Sequence, residues 1–280
     1  MRVGVLGLGR MGSIVAERLA QHYMVTGWDI RSVAIDGVTV ATGPADLVQA
    51  SDLVLSFLPS PDVTAEIVQN DAFQHAFSAS ATVFADCSTS DPASIRRVAE
   101  TLGQAGARIV DAPILGRPDR IGAWTIPVGG DSNSVTQAVP VLNHLAETVE
   151  HVGPLGVGHT IKLLNNLMFS AINVVSAEAV GACSHLGIDP DTFVRLVSQS
   201  NAATVSPLFR DLAPRMTGQA SGTVFTTALL RKDLSLAVGM CEAAGVPLRL
   251  SDGLLDTLNA AMDEGLGDED SAALVRLFEK

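Results

Sequence analysis

Residues 2–20 of the chain, RVGVLGLGRMGSIVAERLA, contain the clearest structural pattern in the sequence. A short apolar, β-branched run leads into the motif GLGRMG at residues 7–12, and apolar residues at helical spacing follow it. This order predicts a buried strand that glycines join to the start of a helix, where free backbone N–H groups and the helix dipole favour an anion. In such a turn the first glycine permits the bend, the second lets a pyrophosphate approach, and the third lets the helix pack closely on the strand.

A second strand candidate, MVTGWD, ends in Asp29, at about the distance where an acidic residue binds the adenosine ribose. The alternative is a βαβ unit without a ligand, but strand, glycines, helix and acid together favour a dinucleotide site. The residues predicted to hold the cofactor here are Gly7, Gly9, Arg10, Met11, Gly12 and Asp29.

The residues after this strand give conflicting signals about the cofactor. The Asp29 carboxylate accepts hydrogen bonds from the ribose hydroxyls of NAD and repels the 2′-phosphate of NADP. Arg31 could swing toward that phosphate, pair with Asp29 or stack on the adenine. Repulsion between the Asp29 carboxylate and the 2′-phosphate is expected to weaken NADP binding more than one exposed arginine strengthens it. The sequence therefore predicts NAD, with NADP possible.

Composition narrows the class of protein. A chain of 280 residues suggests two domains, and a net charge of −12 argues against a nucleic-acid partner. Three distant cysteines without metal-ligand spacing read as reduced thiols, and no metal site is predicted. Because a strand begins at once, we expect no signal peptide and a cytoplasmic protein.

Strand and helix candidates alternate in the first half of the chain. This alternation predicts a parallel, doubly wound sheet with ligands at the carboxyl ends of its strands. After about Gly156 strand signals vanish and five or so helices follow. The predicted fold is therefore α/β, with an N-terminal Rossmann domain in residues 1–155 and an all-α domain in residues 156–280 built around one long helix. The strand candidates are VGVLG, MVTGWD, DLVLSFLP, TVFADCS, RIVDAPI, WTIPVGG and TVEHVG.

The long helix is predicted over residues 159–187 and is apolar on most sides. Polar residues interrupt the apolar run, so we expect a helix buried in its domain and in a homodimer interface rather than a membrane span. Lys162 and Asn166 are four residues apart and share one face, which Asn165 flanks. Either these residues are catalytic, or the lysine reaches solvent and the asparagine caps locally.

Five motifs follow one another along the chain. They are GLGRMG at 7–12, DCSTSDP at 86–92, DAPILGRP at 111–118, GVGHTIKLLNN at 156–166 and RKDLSLA at 231–237. In these motifs the chain resembles the β-hydroxyacid dehydrogenases, the family of 3-hydroxyisobutyrate dehydrogenase, and the resemblance covers essentially the whole chain. It implies an enzyme that transfers a hydride between a nicotinamide cofactor and a small hydroxyacid or semialdehyde.

The resemblance also implies roles for individual residues. Lys162 is the general acid and base, Asn166 positions the substrate, and Lys232 closes over the cofactor. Ser88 and Thr89 lie by the nicotinamide. The expected cofactor site further includes Leu58 and Pro59, and the expected substrate site consists of Ser88, Leu115, Gly116, Arg117 and Asn165.

One segment departs from the family pattern. Where relatives carry a serine and a final glycine that bind a carboxylate, this chain has Leu115 and Arg117 around Gly116. Arg117 could replace that serine, because a guanidinium forks onto carboxylate, sulfonate or phosphate oxygens. It could equally be a surface arginine paired with Asp119. The predicted partner is a small anionic molecule.

In the expected reaction a base removes the hydroxyl proton while hydride moves to the nicotinamide. Lys162 can serve in both directions if burial or a nearby cation brings its pKa toward neutrality. His159 is expected to be a helix N-terminal residue rather than a catalytic one. Two alternatives stay open. One is an imine reductase, which Leu115 favours and Lys162 disfavours, and the other is a non-catalytic dinucleotide-binding redox sensor.

Overall fold

The computed structural model describes residues 1–78, 80, 82–200 and 206–279. The chain divides into two compact units, Met1–Lys162 and Leu163–Lys280. The first contains one eight-stranded sheet with its helices, and the second is helical. The predicted α/β class, with a Rossmann-like part followed by a helical part, is confirmed. The division between the units falls inside the helix Val157–His185, a few residues after the boundary predicted between 155 and 156.

The sheet has the strand order β3-β2-β1-β4-β5-β6-β7-β8. All seven strand candidates form strands. The additional one, β3, is a three-residue edge strand with little burial, so it carries almost no hydrophobic pattern. The strands are β1 Arg2–Leu6, β2 Met24–Trp28, β3 Val38–Val40, β4 Leu53–Ser56, β5 Val83–Asp86, β6 Arg108–Asp111, β7 Trp124–Gly130 and β8 Ala146–Gly153.

One pairing in the sheet corrects the predicted parallel arrangement. Strand β7 runs antiparallel to β6, with Asp111 opposite Gly129. A parallel return needs a crossover, usually through an α-helix. Residues 112–123 contain only the short 3₁₀ turn Pro118–Arg120, so the chain folds straight back. The helix Ser132–Leu142 then provides a crossover, and β8 is parallel to β7.

The first unit contains six complete helices and the beginning of a seventh within the described residues. Several begin at side-chain caps: the Asp91 carboxylate accepts from two N–H groups at the start of α5, and Asp131 does the same for α6. These helices are α1 Arg10–Ala20, α2 Pro44–Gln49, α3 Pro61–Val68, α4 Asp71–Ser78, α5 Pro92–Gln104 and α6 Ser132–Leu142.

Both faces of the sheet are buried, as a doubly wound fold requires. Neighbouring strand residues point to opposite faces, so Val5 and Leu55 join one apolar cluster while Leu6 and Val54 join the other. The second cluster also contains the rings of Phe73, Phe77 and Phe84, which pack edge to face.

The predicted long helix is present as α7, Val157–His185, with 29 residues. By length and composition alone it could cross a membrane, yet 44% of its candidate window is buried. Val174, Ala177 and Val180 lie in the apolar core of the second unit. The other helices of this unit are α8 Pro190–Gln199, α9 Pro207–Met216, α10 Thr227–Ala243 and α11 Ser251–Asp263, followed by a 3₁₀ segment, Ser271–Leu277.

Polar side chains on α7 find partners inside this unit. Asn173 Nδ2 donates to the Phe169 carbonyl at 2.8 Å, and Asn173 Oδ1 accepts from Ser271 Oγ at 2.8 Å. A buried amide with both ends bonded avoids the penalty of an unsatisfied polar group. This part of α7 is therefore built for a protein interior.

The contact between α1 and β1 gives a test of the fold. A Cβ at Gly12 would lie 1.8 Å from the Gly7 carbonyl oxygen, whereas a Cβ at Gly103 in α5 would meet nothing within 4 Å. We expect Gly12→Ala to lower the free energy of unfolding by about 1–3 kcal/mol, because the helix must move off the strand. Gly103→Ala should be neutral or stabilising by up to about 1 kcal/mol. Urea denaturation of the two variants measures this, and equal stabilities would show that the close approach is absent.

Candidate active site

The glycine turn after β1 is tightly packed except over its middle. Gly7 has φ +90°, and a Cβ there would lie 2.5 Å from the Phe57 carbonyl oxygen. Gly9 differs: its Cβ would meet its first neighbour, Arg31 Nη2, only at 3.9 Å. Gly9 is also the N-cap of α1, where the described residues supply no side-chain cap. An open helix start with room above it fits a pyrophosphate, and Arg10 and Met11 begin that helix.

The Asp29 carboxylate closes the other side of this turn. Its Oδ2 accepts from the Leu8 N–H at 2.8 Å, and its Oδ1 accepts from the backbone N–H and the Nε of Arg31 at 2.9 and 3.1 Å. Burial raises the pKa of Asp29, but these hydrogen bonds outweigh it and hold that pKa below its ordinary value. Among the positions considered for Arg31, the structure has the pairing with Asp29 and leaves 68% of the arginine side chain exposed.

The ends of β4 and β5 meet beside the glycine turn. Ser88 Oγ accepts from the Leu58 N–H at 2.9 Å, and the Leu58 side chain lies 3.3 Å from where a Gly7 Cβ would be. Thr89 follows as a half-buried residue, and Pro59 follows Leu58 just before α3. The structure thus brings Gly7, Leu58 and Ser88 together at the carboxyl ends of the strands, where this fold binds ligands.

The segment after β6 is held against β7. Leu115 and Thr125 exchange two backbone hydrogen bonds of 2.9 and 3.1 Å. Gly116 leaves room for Trp124, whose ring would lie 2.1 Å from an added Cβ, and Trp124 Nε1 donates to the Arg117 carbonyl at 2.7 Å. The Arg117 side chain pairs with Asp119 at 3.3 Å, as one of the two interpretations of this arginine expected.

Lys162 lies near the same segment. Its Nζ donates to the Ile114 carbonyl at 2.8 Å, and its side chain is half-buried. The sequence motif placed this lysine in a helix, and the structure shows it in the second turn of α7. Lys162, Ile114 and Leu115 therefore form one local cluster of the first unit.

Asp111 anchors the start of α7 and was not recognised as an anchor from the sequence. It is fully buried, and its two oxygens accept from the N–H groups of Gly156 and His159, both at 2.7 Å. A carboxylate at a helix N-terminus satisfies free donors and complements the dipole. The Asp111 carboxylate fits here only because two neighbours are glycines: a Cβ at Gly129 or Gly158 would lie 2.3 or 2.8 Å from the Asp111 oxygens. In the sequence Asp111 appears as a charged residue that ends an apolar strand and begins the DAPILGRP motif, and neither feature shows that it holds a helix.

His159 is in the first turn of α7, where the sequence placed it. The side chain is fully buried, and its Nε2 is 3.4 Å from Asp86 Oδ2. At this distance a protonated imidazole would form an ion pair with the carboxylate, and the contact falls outside the geometry of a good hydrogen bond. Burial raises the pKa of Asp86, but the adjacent His159 ring and the Ser88 N–H outweigh it and lower that pKa.

In the second unit, Asp233 contacts two of the predicted residues, Asn166 and Lys232, and Asn165 joins them through Asn166. Asn166 Nδ2 donates to Asp233 Oδ2 at 2.7 Å, and Asn165 Nδ2 donates to Asn166 Oδ1 at 3.1 Å. Lys232 Nζ lies 2.9 Å from Asp233 Oδ1, close enough for an ion pair. Asp233 itself is buried and was not predicted as a site residue, although it follows Lys232 directly in the RKDLSLA motif.

Comparisons with known proteins agree with this arrangement. Residues 2–153 match the family described as the NAD binding domain of 6-phosphogluconate dehydrogenase. Residues 156–278 match the family described as NAD-binding of NADP-dependent 3-hydroxyisobutyrate dehydrogenase. Together they define an NAD(P)-dependent oxidoreductase. The chain belongs to the β-hydroxyacid dehydrogenase family, as its motifs indicated.

Relatives of known activity cover nearly the whole chain. It is 28% identical to a mitochondrial 3-hydroxyisobutyrate dehydrogenase of Drosophila melanogaster, over 99% of this chain and 89% of that protein. It is 26% identical to an NAD-dependent L-serine dehydrogenase of Pseudomonas aeruginosa, over 99% and 98%. A solved 3-hydroxyisobutyrate dehydrogenase of Mycobacterium tuberculosis with L-serine has a TM-score of 0.84 at 25% identity, over 100% and 99%.

Imine reductases are also among the solved structures that the chain resembles. One from Myxococcus stipitatus has a TM-score of 0.59 at 21% identity, over 100% of this chain and 99% of that one. At this identity the likeness shows a shared fold alone.

Proposed function

We propose that this protein oxidises a small hydroxyacid, or reduces the matching semialdehyde, with NAD(P) as the hydride carrier and Lys162 as the general acid and base. The observation that carries the proposal is the position of Lys162. Its Nζ contacts the Ile114 carbonyl, next to the segment expected to bind substrate. The Asp111 carboxylate fixes the start of the helix that bears it.

The protein itself holds the substrate in position and provides a route for one proton. NAD(P), when bound, accepts or returns the hydride. In the oxidation direction the neutral Lys162 amine takes the hydroxyl proton, and in the reduction direction its ammonium returns it. Asn166 lies four residues after Lys162 in the same helix and so shares its face, and Asp233 fixes the orientation of the Asn166 amide. We assign substrate positioning to Asn166 for that reason.

The substrate is proposed to be an anion that Arg117 binds. The pair between Arg117 and Asp119 is exposed, with 38% and 59% of the two side chains accessible. Exposed ion pairs contribute about 0–1 kcal/mol, so a substrate carboxylate or sulfonate can replace Asp119 at the guanidinium. The same exposed fractions are equally consistent with the alternative, in which Arg117 is a surface arginine that binds no ligand.

A substrate screen separates the candidate functions. Small 3-hydroxyacids, hydroxysulfonates and cyclic imines would each be tested with NAD(H) and NADP(H). Oxidation of hydroxyacids is the expected result. Reduction of cyclic imines in its place would favour an imine reductase, and cofactor binding without any turnover would favour a redox sensor.

Substitution of the lysine tests the mechanism. We expect Lys162→Ala to lower kcat at least about a hundredfold on the best substrate from the screen, because one general acid–base group contributes on that scale. NADH affinity should stay nearly unchanged. Lys162→Arg is the matched control: it keeps a positive charge and hydrogen-bond donors but cannot lose its proton, so it should be similarly slow. Normal turnover by Lys162→Ala would refute the lysine mechanism.

Cofactor choice is proposed to favour NAD by roughly tenfold in kcat/KM, an energy of about 1.4 kcal/mol. The Asp29 carboxylate is charged at neutral pH, where it repels a 2′-phosphate. We expect Asp29→Asn to narrow the preference and Arg31→Ala to weaken use of NADP more than use of NAD. The ratio of kcat/KM for the two cofactors measures both effects. A wild-type enzyme that prefers NADP would mean that Arg31 dominates.

The assembly is proposed to be a homodimer that covers one face of α7. Leu164, Met168 and Val175 lie on that face by their spacing of four and seven residues, and they are 44%, 66% and 57% exposed. An exposed apolar stripe of this kind is typical of an interface.

Sedimentation at micromolar concentration tests the dimer. We expect the wild type to sediment as a dimer, and Met168→Glu to shift it toward monomer because a charge enters an apolar contact. Val40→Glu, at a residue that is 53% exposed on the edge strand β3, is the matched control and should remain dimeric. A monomeric wild type would contradict the proposal.

The cytoplasm is proposed as the location. Cys87, Cys183 and Cys241 are all buried free thiols. Free thiols without disulfides are usual in a reducing compartment.

A further inference from the structure

A buried pair in the first unit, His159 and Asp86, has no part in the proton transfer described above. The His159 side chain is 0% exposed and that of Asp86 is 1% exposed. Within the described ranges, neither ring nitrogen of His159 makes a hydrogen bond of good geometry, and the contact with Asp86 is the 3.4 Å approach of Nε2 to the carboxylate. Placing an imidazole and a carboxylate away from water is unfavourable, above all when the groups carry charge. A leucine would fill the same volume without that cost.

The carboxylate belongs to the turn that is expected to lie by the nicotinamide. Asp86 is the last residue of β5, and its Oδ1 accepts from the Ser88 N–H at 3.0 Å. Ser88 Oγ in turn accepts from the Leu58 N–H. The orientation of the Ser88–Thr89 turn therefore depends on where the Asp86 carboxylate points.

The imidazole belongs to the helix that carries Lys162. His159 lies three residues before Lys162 in α7, and its own N–H donates to Asp111. The Asp111 bonds hold the end of the helix but involve only backbone groups of α7. The His159 ring is the side chain of this first turn that reaches the Ser88 turn, through Asp86.

We propose that His159 is a positioning residue that acts through Asp86 to hold the nicotinamide-side turn at a fixed distance from Lys162. The inference rests on the proposed function in one respect, that Lys162 is the proton-transfer group. The pair ties the end of β5 to the beginning of α7, so breaking it loosens both partners at once. A displacement of about 1 Å at a reacting group can lower a rate by up to about a hundredfold.

Three single variants test the pair. His159→Leu removes the ring, and Asp86→Asn removes the charge while its amide oxygen can still accept from Ser88. We expect each to lower kcat by about tenfold and to weaken NADH binding, measured by fluorescence without substrate, by a similar factor. His159→Gln, whose amide can donate to Asp86, should recover most of both. The double variant Asp86→Asn/His159→Leu should be no slower than the worse single variant, because both singles break one link.

Two comparisons decide the outcome. Thermal unfolding of the same variants measures their stability. If His159→Leu fails to fold because it leaves the Asp86 charge buried and unpaired, Asp86→Asn and the double variant still test the pair, since neither contains that charge. Lower stability with unchanged kcat and NADH affinity would reduce the pair to a structural role and overturn the proposal, as would a His159→Gln variant no better than His159→Leu. If Lys162→Ala turned over normally, the proposed function would fail. The NADH measurement would still decide whether the pair orders the cofactor-side turn.

Discussion

The site in the first unit depends on one buried carboxylate, that of Asp111. Its two oxygens take the first free N–H groups of α7, and this fixes where the helix starts and hence where Lys162 lies. The residues around it are arranged for this contact, since Gly129 and Gly158 have no side chains that would fill the space. Through these two hydrogen bonds Asp111 connects the end of β6 to the beginning of α7.

Much of the fold could be predicted because its signals are local. The strand, glycine turn and helix of residues 2–20 each follow from periodicity and from the backbone freedom of glycine. The strand β3 and the reversal at β7 could not be predicted in the same way. The first is too short and too exposed to show a pattern, and the second follows from the absence of a helix between two ordinary strands.

In the candidate site, too, the local signals could be predicted and the long-range contacts could not. Motifs pointed to Lys162, Asn166 and Lys232, because their residue types and order are distinctive. They did not reveal Asp111 or Asp233 as the groups that hold those residues, since a supporting carboxylate is defined by what folds against it. Asp233 is 67 residues away from the amide it binds, and no local pattern connects them.

The reversal at β7 has an evolutionary consequence. Strands β1 to β6 are parallel, and most of the connections between them contain helices, which constrains the length and the hand of those connections. The return from β6 to β7 has no such crossover, and it contains the segment with Leu115 and Arg117. Within this return the backbone at Ile114 and Leu115 is fixed by Lys162 and Thr125, whereas Asp119 and Arg120 are exposed. The fold thus separates the strands that carry the glycine turn from a return with an exposed tip, where insertions and new side chains meet fewer constraints from the sheet.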